Sequence, residues 1–396
     1  MARNTSGRRE RPRKKTKARK EGEPFIAVPP DPGMRRCAVM QIEARHEETL
    51  PSVIDAANRA GYYPHVFLNN RCKRLRGDIF AEVPGLKAEI SYCNFGSDEG
   101  TGEIGAAGQA ALLRTQEDDI DFVVMNSFNR ETAVNWARTI EKPVLAIVHN
   151  LDQFLTDDFS APAVADPRFQ FIALGWHVAA ELIARIGKAE MDRVDVIEPC
   201  HWSMGDPAPR GGLPRRIAIP GSISTRTRDY PGLIGAVAAD PARFADIRFV
   251  LGSGGKDRDA VEAEVRARGL EGAFEFLPIR GEQVPHPAYF ASLRDAQAIL
   301  PLMPDDFDQY QRIKITSSVS ASAGFAVPIL MDRWSRACYR LPMIVTDHGL
   351  DATLDRLLSL TEAELDACRT DLIAYRRAAL EENGHAFARL AGRARR

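Results

Sequence analysis

The sequence predicts two α/β domains, each a parallel sheet with crossover helices, followed by a long terminal helix able to cross back. Three observations carry this. Short apolar runs alternate with helical patterns from residue 37 onward, the pattern of repeated strand–helix–strand units. The alternation lapses at Asp206–Arg216 (DPAPRGGLPRR), where Pro and Gly accumulate and periodicity is lost. A length of 396 residues, at ~150 per domain, allows two or three cores.

Cys37–Ile42 is a continuous apolar run and reads as the first strand; Thr49–Ala60 is a helix closed by Gly61. Pro64–Leu68, Asp121–Met125, Val144–Val148, Phe169–Ala173 and Val194–Ile197 continue the strand series, with helices at Arg130–Thr139 and His177–Ile186. In the second half Arg216–Pro220, Ile247–Leu251, Phe274–Leu277, Ala298–Leu302 and Val327–Met331 read as strands. Asp229–Ala238, Arg258–Arg268, Tyr289–Ala296, Thr316–Gly324, Asp351–Ser359 and Glu362–Leu390 read as helices. The expected division is 1–33 basic tail and linker, 34–208 first domain, 209–360 second domain and 361–396 closing helices.

Composition narrows the class. Six cysteines stand alone, without a CxxC pair or a histidine at metal-ligand spacing, so neither a disulfide framework nor a structural zinc site is expected. No run approaches 18 apolar residues and no apolar segment follows the start, so neither a membrane span nor a secretory signal is expected, and the cytoplasm fits best. The net charge of −1 conceals an asymmetry: residues 1–20 hold ten Lys or Arg against one acid, Glu10. Such a tail cannot bury anything and is expected to be disordered. It can hold an anionic membrane surface, whereas the acidic remainder argues against nucleic acid as the main ligand.

Candidate chemistry falls at the carboxyl ends of strands, where ligands collect in parallel α/β sheets. After the Arg216–Pro220 strand, Gly221 permits close backbone approach, Ser222 and Ser224 offer hydroxyls, and Arg226 and Arg228 offer fork donors for phosphate oxygens. Gly252 and Gly254, after the Ile247–Leu251 strand, fit neither a Walker loop nor a GxGxxG fingerprint and are expected to turn the chain beside a ligand. Lys314, with Thr316, Ser317 and Ser318 at a helix start, combines a cation, hydroxyls and free N–H groups: a diphosphate cradle. In the first half, the loop Ile42–Glu48 offers Arg45, His46 and Glu47, and the loop after Val148 offers His149, Asn150 and Asp152. Either histidine can serve as general base for a hydroxyl, its ordinary pKa lying near neutrality. Asp305, Asp306 and Asp308 read as a solvated loop; no metal is expected.

In order, the basic Gly/Ser loop Gly221–Arg228, the strand ending Gly252–Gly254, the strand ending Leu300-Pro-Leu-Met and the helix leading into Gly324…Pro328 resemble the donor-binding domain of GT-B glycosyltransferases. The closest resemblance is to the large retaining family that uses nucleotide-sugars; Tyr375, Asn383 and Phe387 in the terminal helices extend it. The resemblance implies two Rossmann-like domains facing a cleft, and transfer of a sugar from a nucleotide-sugar to a glycan or lipid-linked acceptor, in cell-surface polysaccharide synthesis. It implies a donor diphosphate against Ser222, Arg226, Arg228, Lys314 and Thr316, an acceptor against His46, His149 and Asp152, and no cofactor beyond the donor. Retaining members usually carry two glutamates, with seven residues between them, before a Gly-x-Pro turn. The corresponding stretch here, Ile313–Ala321, contains no glutamate, which keeps open a catalytically inactive relative acting as a binding subunit.

Overall fold

The computed structural model describes residues 25–95, 106–129, 131–155, 160–202, 212 and 214–394. The basic tail and most of the expected interdomain connection lie outside these residues. Among the described residues the first sheet has eight strands. They are β1 (Phe25–Val28), β2 (Arg35–Gln41), β3 (Tyr62–Asn69), β4 (Ala88–Cys93), β5 (Ile120–Met125), β6 (Val144–Val148), β7 (Phe169–Ala173) and β8 (Val194–Val196). The order is β1-β4-β3-β2-β5-β6-β7-β8. Every neighbouring pair is parallel except β1 with β4, which is antiparallel. Runs such as Cys37–Met40 and Val144–Val148 are fully buried, as strands covered by helices on both faces must be.

The second sheet comprises β9 (Arg215–Ile219), β10 (Ile247–Leu251), β11 (Phe274–Phe276) and β12 (Ala298–Ile299) in the order β11-β10-β9-β12, all parallel. A parallel bridge from Ile299 to Ile329 extends it to the parallel pair β13 (Leu330–Asp332) and β14 (Ile344–Thr346). In both sheets the order reverses beside the strand that opens the unit, between β2 and β5 and between β9 and β12. That reversal opens a crevice at the carboxyl ends.

The terminal helix, Glu362–Ala394, crosses back onto the first domain. Phe387 meets the rings of Tyr62 and Phe122 at 6.1 and 5.8 Å. The Asn383 side chain brackets Glu198, accepting from its N–H and donating to its carbonyl, both at 2.8 Å. At Gly384 a Cβ would stand 2.7 Å from the Cβ of Arg59, so only glycine lets this helix settle on helix Leu50–Arg59.

Three differences from the sequence reading are physical. Pro24–Pro32, expected as linker, contributes β1, because the free edge of β4 offers its backbone a ladder. β4 was not expected: its Ser91 pairs with His65 of β3 at 2.9 Å, and such polar residues conceal a buried strand. The short helix Arg333–Cys338 and β14 were also not expected, being too brief to show a period.

Candidate active site

The wall of the cleft made by the second domain begins with Gly221, whose φ of 91° follows β9 directly. A Cβ there would stand 2.2 Å from Nη2 of Arg228 and 2.6 Å from Oγ of Ser317, so the loop, the arginine and the helix start converge on one point. Arg228 is only 2% exposed. Its Nη1 donates to the Ser222 carbonyl at 3.2 Å and reaches Oγ1 of Thr227 at 3.4 Å, while Nε has no partner. The loop is held by the turn from the Ser224 carbonyl to the N–H groups of Thr227 and Arg228, and by Thr225 donating to Asp257 at 2.8 Å.

Helix Ser317–Phe325 is capped by Thr316, whose hydroxyl accepts from the Ser318 N–H at 3.4 Å. Thr316 and Ser318 are fully buried, and the Ser318 hydroxyl lacks a partner. Lys314 lies with Nζ 5.1 Å from the Phe307 ring and 5.0 Å from the Tyr310 ring. Burial lowers its pKa, and the charges of Arg226 and Arg228 lower it further, against an opposing effect of Asp152. Among the described residues no carboxylate forms an ion pair with Arg226, Arg228 or Lys314. Three cations close enough to oppose one another, one of them buried, form a site that gains free energy from an anion.

The glycines after β10 are occupied by protein. A Cβ at Gly254 would stand 1.8 Å from the Glu282 carbonyl oxygen, and one at Gly252 would stand 3.1 Å from the Tyr289 ring. Rather than turning the chain beside open space, Gly254 lets two segments of backbone touch.

The facing wall comes from the first domain. His46 sits after β2 in the left-handed region at φ 68°, held there by its carbonyl, which accepts from Thr49 Oγ1 at 2.8 Å and Asn126 Nδ2 at 3.1 Å. Its ring stacks on His149 with centroids 4.2 Å apart. Burial disfavours the charged His46 ring, but the hydrogen bond to Glu48 and the charges of Glu48, Glu43 and Glu47 outweigh it, so its pKa is raised. His149 goes the other way, pushed down to about 3 by burial and by the neighbouring His46. Its Nε2–H donates to the Asn126 carbonyl at 2.6 Å. The two stacked imidazoles are shifted in opposite directions, His46 toward its protonated form and His149 toward its neutral one.

Asp152 pairs with Arg185 at 2.7 Å, and its charge also reaches Lys314. Of the acceptor-side residues expected from the sequence, His46 and His149 stack on one another, with Glu48 beside His46.

Further residues join the walls: Glu47 was offered by the sequence, while Arg76, His286 and Tyr289 were not. Glu47, 1% exposed, lies 3.2 Å from Nη1 of Arg76 and 3.4 Å from Nε2 of His286, which belongs to the second domain. From the same helix, His286–Asp295, Tyr289 lies in the fields of Glu48, Arg228 and Arg76, one residue facing both walls. On the far flank the Leu151 N–H donates to the Ile313 carbonyl at 3.1 Å, and His177 reaches the Lys314 carbonyl at 3.3 Å. Among the described residues no cluster of three or more His, Cys, Asp or Glu is placed to hold a metal ion.

No family model matches the sequence, and no curated protein matches it. Solved structures do match the fold. The apo form of the lipopolysaccharide outer core galactosyltransferase WaaB superposes with a TM-score of 0.52 at 12% identity, over 89% of this chain and 98% of that one. An α,α-trehalose-phosphate synthase (UDP-forming) from Burkholderia vietnamiensis gives 0.53 at 12% identity, over 89% and 96%. A UDP-glucose:anthocyanidin 3-O-glucosyltransferase in complex with UDP gives 0.51 at 8% identity, over 91% and 99%. This chain has the GT-B fold.

The stretch Ile313–Ala321, which contains no glutamate, packs at both of its ends. Ile313 is buried in the first domain's core while its carbonyl joins the lobes, and Ala321 is buried inside helix Ser317–Phe325. Glu47 and Glu48 come to the cleft from the opposite wall.

Proposed function

We propose that the chain transfers a sugar from a nucleotide-sugar to a glycan or lipid-linked acceptor, in the synthesis of a cell-surface polysaccharide or glycolipid. The observation that carries this reading is the buried, unpaired Arg228 beside Arg226, Lys314 and the capped start of helix Ser317–Phe325. These groups, with Gly221, Ser222, Ser224, Thr316 and Ser317, would hold the donor diphosphate. As the glycosidic C–O bond breaks, negative charge grows on the departing diphosphate, and fixed cations and peptide N–H groups stabilise it without reorganising. His46 in its neutral form takes the proton of the acceptor hydroxyl while the new C–O bond forms, and His149 supports its ring. No cofactor beyond the donor is invoked. The basic tail would add contact with an anionic membrane.

Titration calorimetry with nucleoside diphosphates tests the reading. Arg226→Ala and Lys314→Ala should each weaken binding by about 1.5–3 kcal/mol, the worth of a charge-assisted hydrogen bond. Unchanged affinity in both variants overturns the phosphate assignment. A second reading, an inactive relative that binds without turnover, draws on the lack of a glutamate in Ile313–Ala321. Nucleotide binding with no release of sugar from any donor would favour it.

A further inference from the structure

We propose that Asn126 is the positioning residue for the two histidines of the cleft, its side chain fixing His46 and its main chain fixing His149. The proposal deepens the transfer reading and rests on it. In the first sheet β5 lies between β2 and β6, so the residue that follows β5 stands between the loops that carry His46 and His149. Asn126 is that residue, and it is completely buried. Its Nδ2 donates to the His46 carbonyl at 3.1 Å and to Oε1 of Gln41, and its Oδ1 lies 3.0 Å from the Thr49 hydroxyl. Gln41 donates in turn to the Glu43 and Arg45 carbonyls at 2.7 and 2.6 Å, so two amides tie the whole loop to the end of β5. On the other side the Asn126 carbonyl takes the hydrogen of His149 Nε2 at 2.6 Å. A carbonyl only accepts, so this bond also sets the tautomer of His149.

Packing alone asks for an apolar residue here, as at Val123, Val124 and Met125. A buried amide is costly unless bonded, and the side-chain bonds of this one go to the segment that carries His46. His46 needs the restraint. Its φ of 68° lies in the left-handed region, which a residue with a Cβ disfavours. Without Nδ2 its carbonyl loses one of two donors, and the backbone relaxes toward an ordinary conformation. The ring then leaves His149, on which it stacks at 4.2 Å, and Glu48, whose Oε1 lies 3.6 Å from Nδ1. That carboxylate favours a proton at Nδ1, which leaves Nε2 of His46 to take the proton of the acceptor hydroxyl. The charged groups facing His46 are Glu48, Glu43 and Glu47 of its own segment and, from the loop after β6, His149; Arg76 faces Glu47 and Glu48.

The test is NMR titration of the histidine rings in the full chain, with His46 and His149 assigned through His46→Gln and His149→Asn, alongside transfer kinetics. In Asn126→Ala and Asn126→Ser the His46 titration should fall toward the ordinary 6.5, and the ring-current shift from the stack should vanish. Thr49→Val, which removes the other donor to the same carbonyl, should move the titration the same way by less. In transfer, the acidic limb of kcat should move to lower pH with His46, and its plateau should fall about ten- to a hundredfold, the cost of a misplaced base, with KM for the donor unchanged. Nucleoside diphosphate affinity should match the wild type, because the cationic groups lie on the facing wall. A residue that only packs would lower the melting temperature and leave the acidic limb in place. An unmoved His46 titration in the folded Asn126 variants, or failure of both variants to fold, overturns the proposal. The titration needs no donor sugar. If it moves as expected while the wild type transfers no sugar, the transfer reading falls and the positioning of the histidines stands; wild-type transfer with an unmoved limb in Asn126→Ala means the reverse.

Discussion

His46 and His149 show how two residues of one type are given opposite proton affinities by their surroundings. His46 keeps its proton above the ordinary 6.5 because Glu48 bonds to it and two further glutamates add charge. Its neutral, proton-accepting form therefore accumulates only as pH rises through that raised value. Transfer measured across pH should climb in the same window, and His46→Gln should be slow at every pH. His149 has the opposite sign. Its folded pKa of about 3 lies below the unfolded 6.5, so its contribution to stability is intact above 6.5 and is lost as pH falls toward 3. Thermal melts of the wild type should decline over that range, and His149→Asn should flatten the decline. Both histidines were legible in the sequence, His149 directly after a buried strand and His46 in the polar loop that follows one. Their stacking was not, because it depends on where β2 and β6 lie in the sheet.

At the scale of elements, helix Ser317–Phe325 works at both ends. Its start faces the cationic loop, and near its end Gly324 receives Trp202, whose ring would lie 1.6 Å from a Cβ at that position. Trp202 in turn packs on Phe290 and Phe325, with centroids 4.9 and 5.6 Å away. Gly324→Ala must expel the indole or shift the helix, and should lower stability by about 1–3 kcal/mol, read from denaturant unfolding. A loss of nucleotide affinity should accompany it, because the helix start moves with the rest. The long elements were legible: Val144–Val148, Phe169–Ala173 and Ile247–Leu251 begin and end where their apolar runs do. The helix start at Thr316–Ser318 was legible from the crowding of hydroxyls before a small-residue helix. Arg76, His286 and Tyr289 were not, since each is a single polar residue brought to the cleft by packing between domains.

At the scale of the whole molecule, the lobes are joined on one flank by Glu47, Arg76 and His286. Removing one member of a buried ion pair leaves the other uncompensated and costs roughly 3–5 kcal/mol. Arg76 keeps some contact with water, so Glu47→Gln should fall toward the lower end of that range. Small-angle scattering of the variant should show a larger radius of gyration as the flank opens, and an unchanged radius would mean that Leu151–Ile313 and the crossing helix set the lobe angle alone. That helix also has a bearing on how the protein is made. The rings of Tyr62 and Phe122 receive Phe387 as their partner, and Arg59 rests on Gly384. A ribosome therefore releases the first domain's strands long before it supplies the piece that covers them. Until then the nascent chain presents a sticky apolar seam, a natural stopping place for a chaperone.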